Sequence, residues 1–251
     1  MSSKRALLLI NLGSPEAPRP REVRSYLNEF LTDPYVIDLP YVPRQILVRA
    51  IISPFRAKAS AHAYDKIWTK DGSPLVHFTR SFSGKVAETL GAGWDVRWAM
   101  RYGSPSVAER MRDWDYDELY IVPLYPQYAE SSSRTASEEA LRHSRSGAKV
   151  LVLRDFFAEP EFIRAQVERI NGSLLEFQAD HLLLSFHGLP EHHLHKLYPA
   201  HCLRSASCCD SVTSANRFCY RAQCFATARG DPRIPAVRRR QNFSRVSVAP
   251  G

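Results

Sequence analysis

The stretch Arg5-Ala6-Leu7-Leu8-Leu9-Ile10-Asn11-Leu12-Gly13 decides the fold. Its apolar run shows no polar alternation and ends on a glycine. That pattern predicts a strand buried on both faces, as in a parallel sheet. Pro20 then opens a helix with Val23, Leu27, Phe30 and Leu31 at helical spacing, and Asp33-Pro34 stops it. Gln45 to Ile52 and Ala57 to Ile67 read as helices interrupted at Ser53-Pro54. Residues 94–101 alternate, with Val96, Trp98 and Met100 on one face of a strand. Ser104-Pro105 reads as a capped helix start. Further strands follow at 118–124, 150–153 and 181–186, with helices at 135–144, 159–177 and about 210–229. The alternation predicts an α/β fold with a doubly wound parallel sheet. In such sheets ligands bind beyond the C-terminal strand ends. That rule selects the loops after Asn11, Arg101, Pro123 and Phe186.

The chain has 251 residues, 44% apolar and 24% charged, enough for one large domain or two small ones. No apolar run approaches a membrane span. Ala6 to Ile10 is too short for a signal-peptide core, so a cytoplasmic protein is expected. Of the net charge of +8, residues 231–251 supply +4 through five arginines and one aspartate. This segment has no apolar periodicity and reads as a disordered basic tail. No stacking platform or recognition motif accompanies it, so nucleic acid is not an expected partner. All five cysteines fall between Cys202 and Cys224, and six of the nine histidines between His181 and His201. In a cytosolic chain such clustering favours metal or cluster chemistry over disulfides.

Three strand ends carry chemistry. In Ser185-Phe186-His187-Gly188-Leu189-Pro190 a histidine leaves an apolar strand beside a glycine. Its imidazole can bind a divalent metal or accept a proton; a hydrogen-bonded structural histidine is the plainer alternative. In Arg101-Tyr102-Gly103 the arginine can meet a substrate carboxylate and the tyrosine a flat ring. The segment from Leu124 to Ser133, with Tyr125, Tyr128 and Ser132, can line a pocket with aromatic and polar sides. Gly13-Ser14-Pro15 lacks the lysine of a phosphate loop.

Together these segments resemble ferrochelatase, the family that inserts ferrous iron into a porphyrin. The resemblance rests on Leu9 to Glu16, Tyr26 to Leu31, Tyr64 to Trp68, Gly72 to Leu75, Met100 to Gly103, Tyr125 to Tyr128 and Ser185 to Pro190, in order over about residues 5–230. It implies a chelatase-like fold of two α/β domains with protoporphyrin IX in the cleft, and Fe²⁺ as the metal substrate. It implies that His187 is the catalytic group, binding metal or receiving pyrrole protons. Arg101, Tyr102, Tyr125, Tyr128 and Ser132 become candidate porphyrin contacts. The apolar stretch Pro34 to Phe55 resembles the family's lip over the pocket, where peripheral membrane contact is expected.

Two departures matter. The family continues after Gly230 with a strand and an acidic residue facing the histidine, and residues 231–251 match neither. The expectation is therefore a first domain over 1–177, a truncated second domain over 178–230 and a basic tail over 231–251. Such a chain would be unstable and impaired. A non-catalytic porphyrin- or iron-binding remnant, and a chelatase for another tetrapyrrole, are the alternatives. Second, some members carry a [2Fe–2S] cluster. Cys202, Cys208, Cys209, Cys219 and Cys224 sit where an internal one would lie, with four thiolates required. Cys208 and Cys219 would share a helix face if the last helix began early enough.

Overall fold

The computed structural model describes residues 3–176, 179 and 181–230. The basic tail expected over 231–251 lies outside the described residues. The chain forms two units, Met1–Tyr125 with Glu130–Arg154 and Pro126–Ala129 with Asp155–Gly251.

The first unit is a four-stranded, all-parallel sheet. Strands β1 (Arg5–Ser14), β2 (Trp94–Gly103), β3 (Glu118–Pro123) and β4 (Lys149–Val152) lie in the order β2-β1-β3-β4. The doubly wound expectation holds. Central β1 pairs on both edges, with Leu8 opposite Arg97 and Ile121. Its run from Ala6 to Ile10 is buried throughout, which explains the absence of polar alternation. Ala6, Leu8 and Ile10 pack with Val107 and Met111 of helix α5 (Val107–Met111) and with Ala136 and Ala140 of helix α6 (Thr135–Arg142).

Helix α1 (Pro20–Leu31) follows β1, and α2 (Tyr41–Ile46), a π-helical turn (Leu47–Ile52) and α3 (Ser53–Ile67) follow it. The last three are continuous, so the expected break at Ser53-Pro54 is corrected. The π turn lets the Ser53 N–H reach the Val48 carbonyl. The wider turn accommodates a proline ring that would clash in a regular helix. Helix α4 (Pro74–Leu90) packs on β1 and β2. The helix start expected at Ser104-Pro105 lies two residues later. Ser106 caps α5 by accepting from Glu109 N–H, while the Glu109 carboxylate accepts from Ser106 N–H.

The second unit holds α7 (Pro160–Glu176), α8 (Glu191–Leu197) and α9 (Tyr220–Arg229). Two expectations are corrected here. Residues 181–186 alternate in burial, but they are not a strand, because no strand among the described residues of this unit pairs with them. The last helix begins at Tyr220 rather than near Asp210, because Asn216 ties the preceding turn. Its amide donates to the carbonyls of Cys208 at 3.0 Å and Ser211 at 2.8 Å, and its oxygen accepts from Thr213 N–H at 2.6 Å.

Strands β1 and β2 end in backbone contact. Gly13 has φ +110°, and a Cβ there would lie 1.7 Å from the Tyr102 carbonyl oxygen. Gly13→Ala should destabilise the first unit by roughly 3 kcal/mol or more in chemical denaturation, through backbone strain and the clash together. An alanine variant with the wild-type midpoint would refute the close approach.

Candidate functional site

The ends of β1, β2 and β3 converge on a buried polar group centred on Asp33, two residues beyond α1. Its Oδ1 accepts from the Tyr35 N–H at 2.8 Å. Its Oδ2 accepts from Arg101 Nη2 at 2.6 Å, Tyr102 OH at 2.9 Å and Thr135 Oγ1 at 2.6 Å. Thr135 Oγ1 in turn accepts from Arg101 Nε at 2.8 Å. Arg101 lies over the Tyr102 ring, 4.4 Å from its centroid. The guanidinium expected to meet a substrate carboxylate is thus paired within the unit, at one wall of a pocket of about 280 Å³ lined also by Glu29, Tyr35 and Arg142. Tyr102 is fully buried and supports Arg101 from beneath. Burial pushes the Tyr102, Tyr26 and Tyr125 hydroxyls far above the ordinary tyrosine value, so all three remain protonated donors. The Tyr125 hydroxyl is buried without a hydrogen-bond partner among the described residues. Burial also raises the Glu29 carboxyl, opposed by the Gly103 N–H. Ser132 is half-buried in the π-helical turn Glu130–Arg134.

In the second unit Tyr128 stacks near Phe218, with ring centroids 4.9 Å apart. Its N–H donates to Gln223 Oε1 at 2.6 Å, and Gln223 Nε2 donates to the Arg217 carbonyl at 2.8 Å. His187 is exposed just past residues 181–186, with its backbone near the Tyr220 hydroxyl at the start of α9. Beside it, Leu184, Ser185 and Phe186 join Phe162, Val167 and Ile170 around a groove of about 310 Å³.

The five cysteines are free and buried. They gather without the shared helix face expected from spacing, since Cys208 lies in a turn and Cys219 just precedes α9. Cys208 and Cys209 sulfurs lie 3.5 Å apart. The Cys209 and Cys219 thiols act on each other, which lowers the Cys219 thiol and raises that of Cys209. The N–H groups of Arg221 and Ala222 at the helix start add to the lowering. Burial raises Cys202, and pushes Cys224 up to about 12 beside the Tyr220 hydroxyl. Among the described residues, no three His, Cys, Asp or Glu side chains are grouped to hold a single metal ion.

The ferrochelatase family model matches residues 4–230. The chain belongs to the ferrochelatase family. The ferrochelatase of Coxiella burnetii (strain Dugway 5J108-111) is 43% identical over 233 residues, covering 91% of this chain and 65% of that protein. Those of Pseudomonas savastanoi pv. phaseolicola and Ectopseudomonas mendocina are 46% and 47% identical, each covering 89% of this chain and 67% of the relative. The chain therefore spans about two-thirds of the length of the curated relatives it matches.

Asp33 and Gln223 were not singled out by sequence. Asp33-Pro34 signals only a helix stop, and Gln223 sits in a helix with no motif around it. Gln223→Ala should cost roughly 2–4 kcal/mol by stranding the Tyr128 amide and the Arg217 carbonyl. Hydrogen exchange should quicken at Tyr128 while β1 stays protected; unchanged exchange at Tyr128 would count against this support.

Proposed function

We propose that the chain carries the ferrochelatase reaction, insertion of Fe²⁺ into protoporphyrin IX to give protohaem, with His187 as its central group. The observation that carries this reading is His187 itself, an exposed residue near the start of α9, within a sequence matched to the family through residue 230. Metallation must strip two N–H protons from the ring and deliver a divalent cation to four nitrogens. A neutral imidazole can accept those protons or ligate the iron on its way. Arg101, Tyr125, Tyr128 and Ser132 are the proposed porphyrin contacts, with Tyr102 holding Arg101 in place. Exposed Tyr41, Val42, Ile46, Ile51 and Phe55 on the α2–α3 run support peripheral membrane contact by apolar side chains. No helix among the described residues is long and apolar enough to cross a membrane.

The thiol donor set suits a [2Fe–2S] group, in which each iron takes only two protein sulfurs. Cys202, Cys208, Cys209 and Cys219 act on one another; Cys224 also feels Cys219, but its thiol lies beside the Tyr220 hydroxyl. The first four would hold the cluster, which would close the 202–219 segment just ahead of α9 and supply a one-electron redox centre. Anaerobic reconstitution should give visible absorbance with about two irons and two sulfides per chain. Cys219→Ser should abolish it and Cys224→Ser should keep it. A colourless chain, or equal loss in both variants, would refute the assignment.

The reaction itself is tested by anaerobic addition of Fe²⁺ to the chain with protoporphyrin IX bound. Porphyrin fluorescence should fall as a haem spectrum appears, and His187→Ala should abolish metallation while leaving porphyrin affinity within about threefold. Porphyrin binding without metallation would favour the second reading, a non-catalytic porphyrin-binding chain. That reading draws on the lack of a strand among the described residues of the second unit.

A further inference from the structure

The 280 Å³ pocket at the end of β2 is lined by two cations, Arg101 and Arg142, and both are already matched. Arg101 is bonded to Asp33 at 2.6 Å, with 13% of its side chain exposed against 2% for Asp33. Arg142 pairs with Glu139 at 2.5 Å. Glu29 adds a further carboxylate to the wall, fixed by the Gly103 N–H at 2.9 Å. The lining therefore holds no surplus positive charge to reward an incoming carboxylate. Thr135 and Tyr102 bond to the same Asp33 oxygen, and the Tyr35 N–H to the other, so the aspartate is fully engaged as an acceptor. A carboxylate so held keeps the guanidinium paired within the wall of the pocket.

We propose, resting on the porphyrin reading of this site, that Asp33 is a positioning residue that sets substrate class. By cancelling the charge of Arg101 it denies the site extra affinity for tetrapyrroles bearing more than two carboxylates. Arg101 then meets the ring by its shape and its place over Tyr102, not as a free cation. An uncompensated guanidinium in a half-shielded pocket would add roughly tenfold affinity for each carboxylate it reached.

The experiment is equilibrium fluorescence titration of the full chain with two metal-free probes, protoporphyrin IX (two carboxylates) and coproporphyrin III (four), at low and high salt. For the wild type, the ratio of the two affinities should shift less than about twofold between the salt conditions. Asp33→Asn, which preserves shape and removes charge, should raise the four- over two-carboxylate ratio roughly tenfold at low salt. High salt should erase that gain, and Asp33→Asn/Arg101→Gln should reverse it. A loss of stability alone would weaken binding of both probes equally and leave the ratio unmoved. An unchanged ratio in a folded Asp33→Asn chain overturns the proposal. If that variant does not fold, the wild type decides: a strongly salt-sensitive preference for the four-carboxylate ring overturns it, and an insensitive ratio supports it. Wild-type chain that binds neither probe overturns the functional reading and this proposal with it, an outcome distinct from binding with an unmoved ratio.

Discussion

A buried carboxylate that accepts four hydrogen bonds sets the geometry of the first unit's functional end. Asp33 follows α1, Arg101 and Tyr102 belong to β2, and Thr135 opens α6, so one oxygen gathers side chains from three separate parts of the chain. Burying an aspartate alone would be strongly unfavourable; burying it with a guanidinium and two hydroxyls makes the arrangement specific. The arrangement is demanding because it cannot be half made. An Arg101 rotated away would leave a charge with no water to take its place.

That demand reaches the backbone. Gly13 and Tyr102 meet with no room for a side chain, so the end of β1 fixes the end of β2. Tyr102 is then held on two sides, by Asp33 at its hydroxyl and by Phe30 of α1 at its ring, 5.1 Å between centroids. The position of Arg101 follows from these contacts rather than from a side-chain preference of its own. Arg101, at a strand end, is placed here by groups from the end of α1 and the start of α6.

Much of this was legible from the residues. An unalternating apolar run from Ala6 to Ile10 has one physical reading, burial on both faces, and the alternation of later strands with helices gave the winding. The expected start of α5 lies two residues early because Ser106 has a glutamate three residues on and makes the reciprocal cap. The strand expected at 181–186 failed for a deeper reason. An apolar stretch encodes an extended chain, but a strand is a relation between two segments, and a run of leucines cannot name its neighbour. For the proposed site, Arg101 and His187 stand out in the sequence because each sits at the end of a patterned segment. Asp33, Asn216 and Gln223 could not, because their roles arise only when distant backbone groups arrive beside them.

The two units are stabilised in different ways, and this bears on their chemistry. The first has a paired sheet, so its polar groups are placed by cooperative backbone ladders. In the second, the described residues use side chains for that task. Gln223 bridges Tyr128 and Arg217, Asn216 closes the turn that carries the cysteines, and Thr227 connects α9 to the Phe157 carbonyl at 2.8 Å. Each bridge satisfies buried backbone groups, but each is a single contact whose loss is not shared by neighbours. Local opening should therefore be easier around His187 and the thiols than around Arg101. For the metal-handling role proposed for His187, that difference would be useful. Residues that recognise a flat, rigid ring gain from a fixed wall, whereas a group that passes protons or a cation must change its partners as it works.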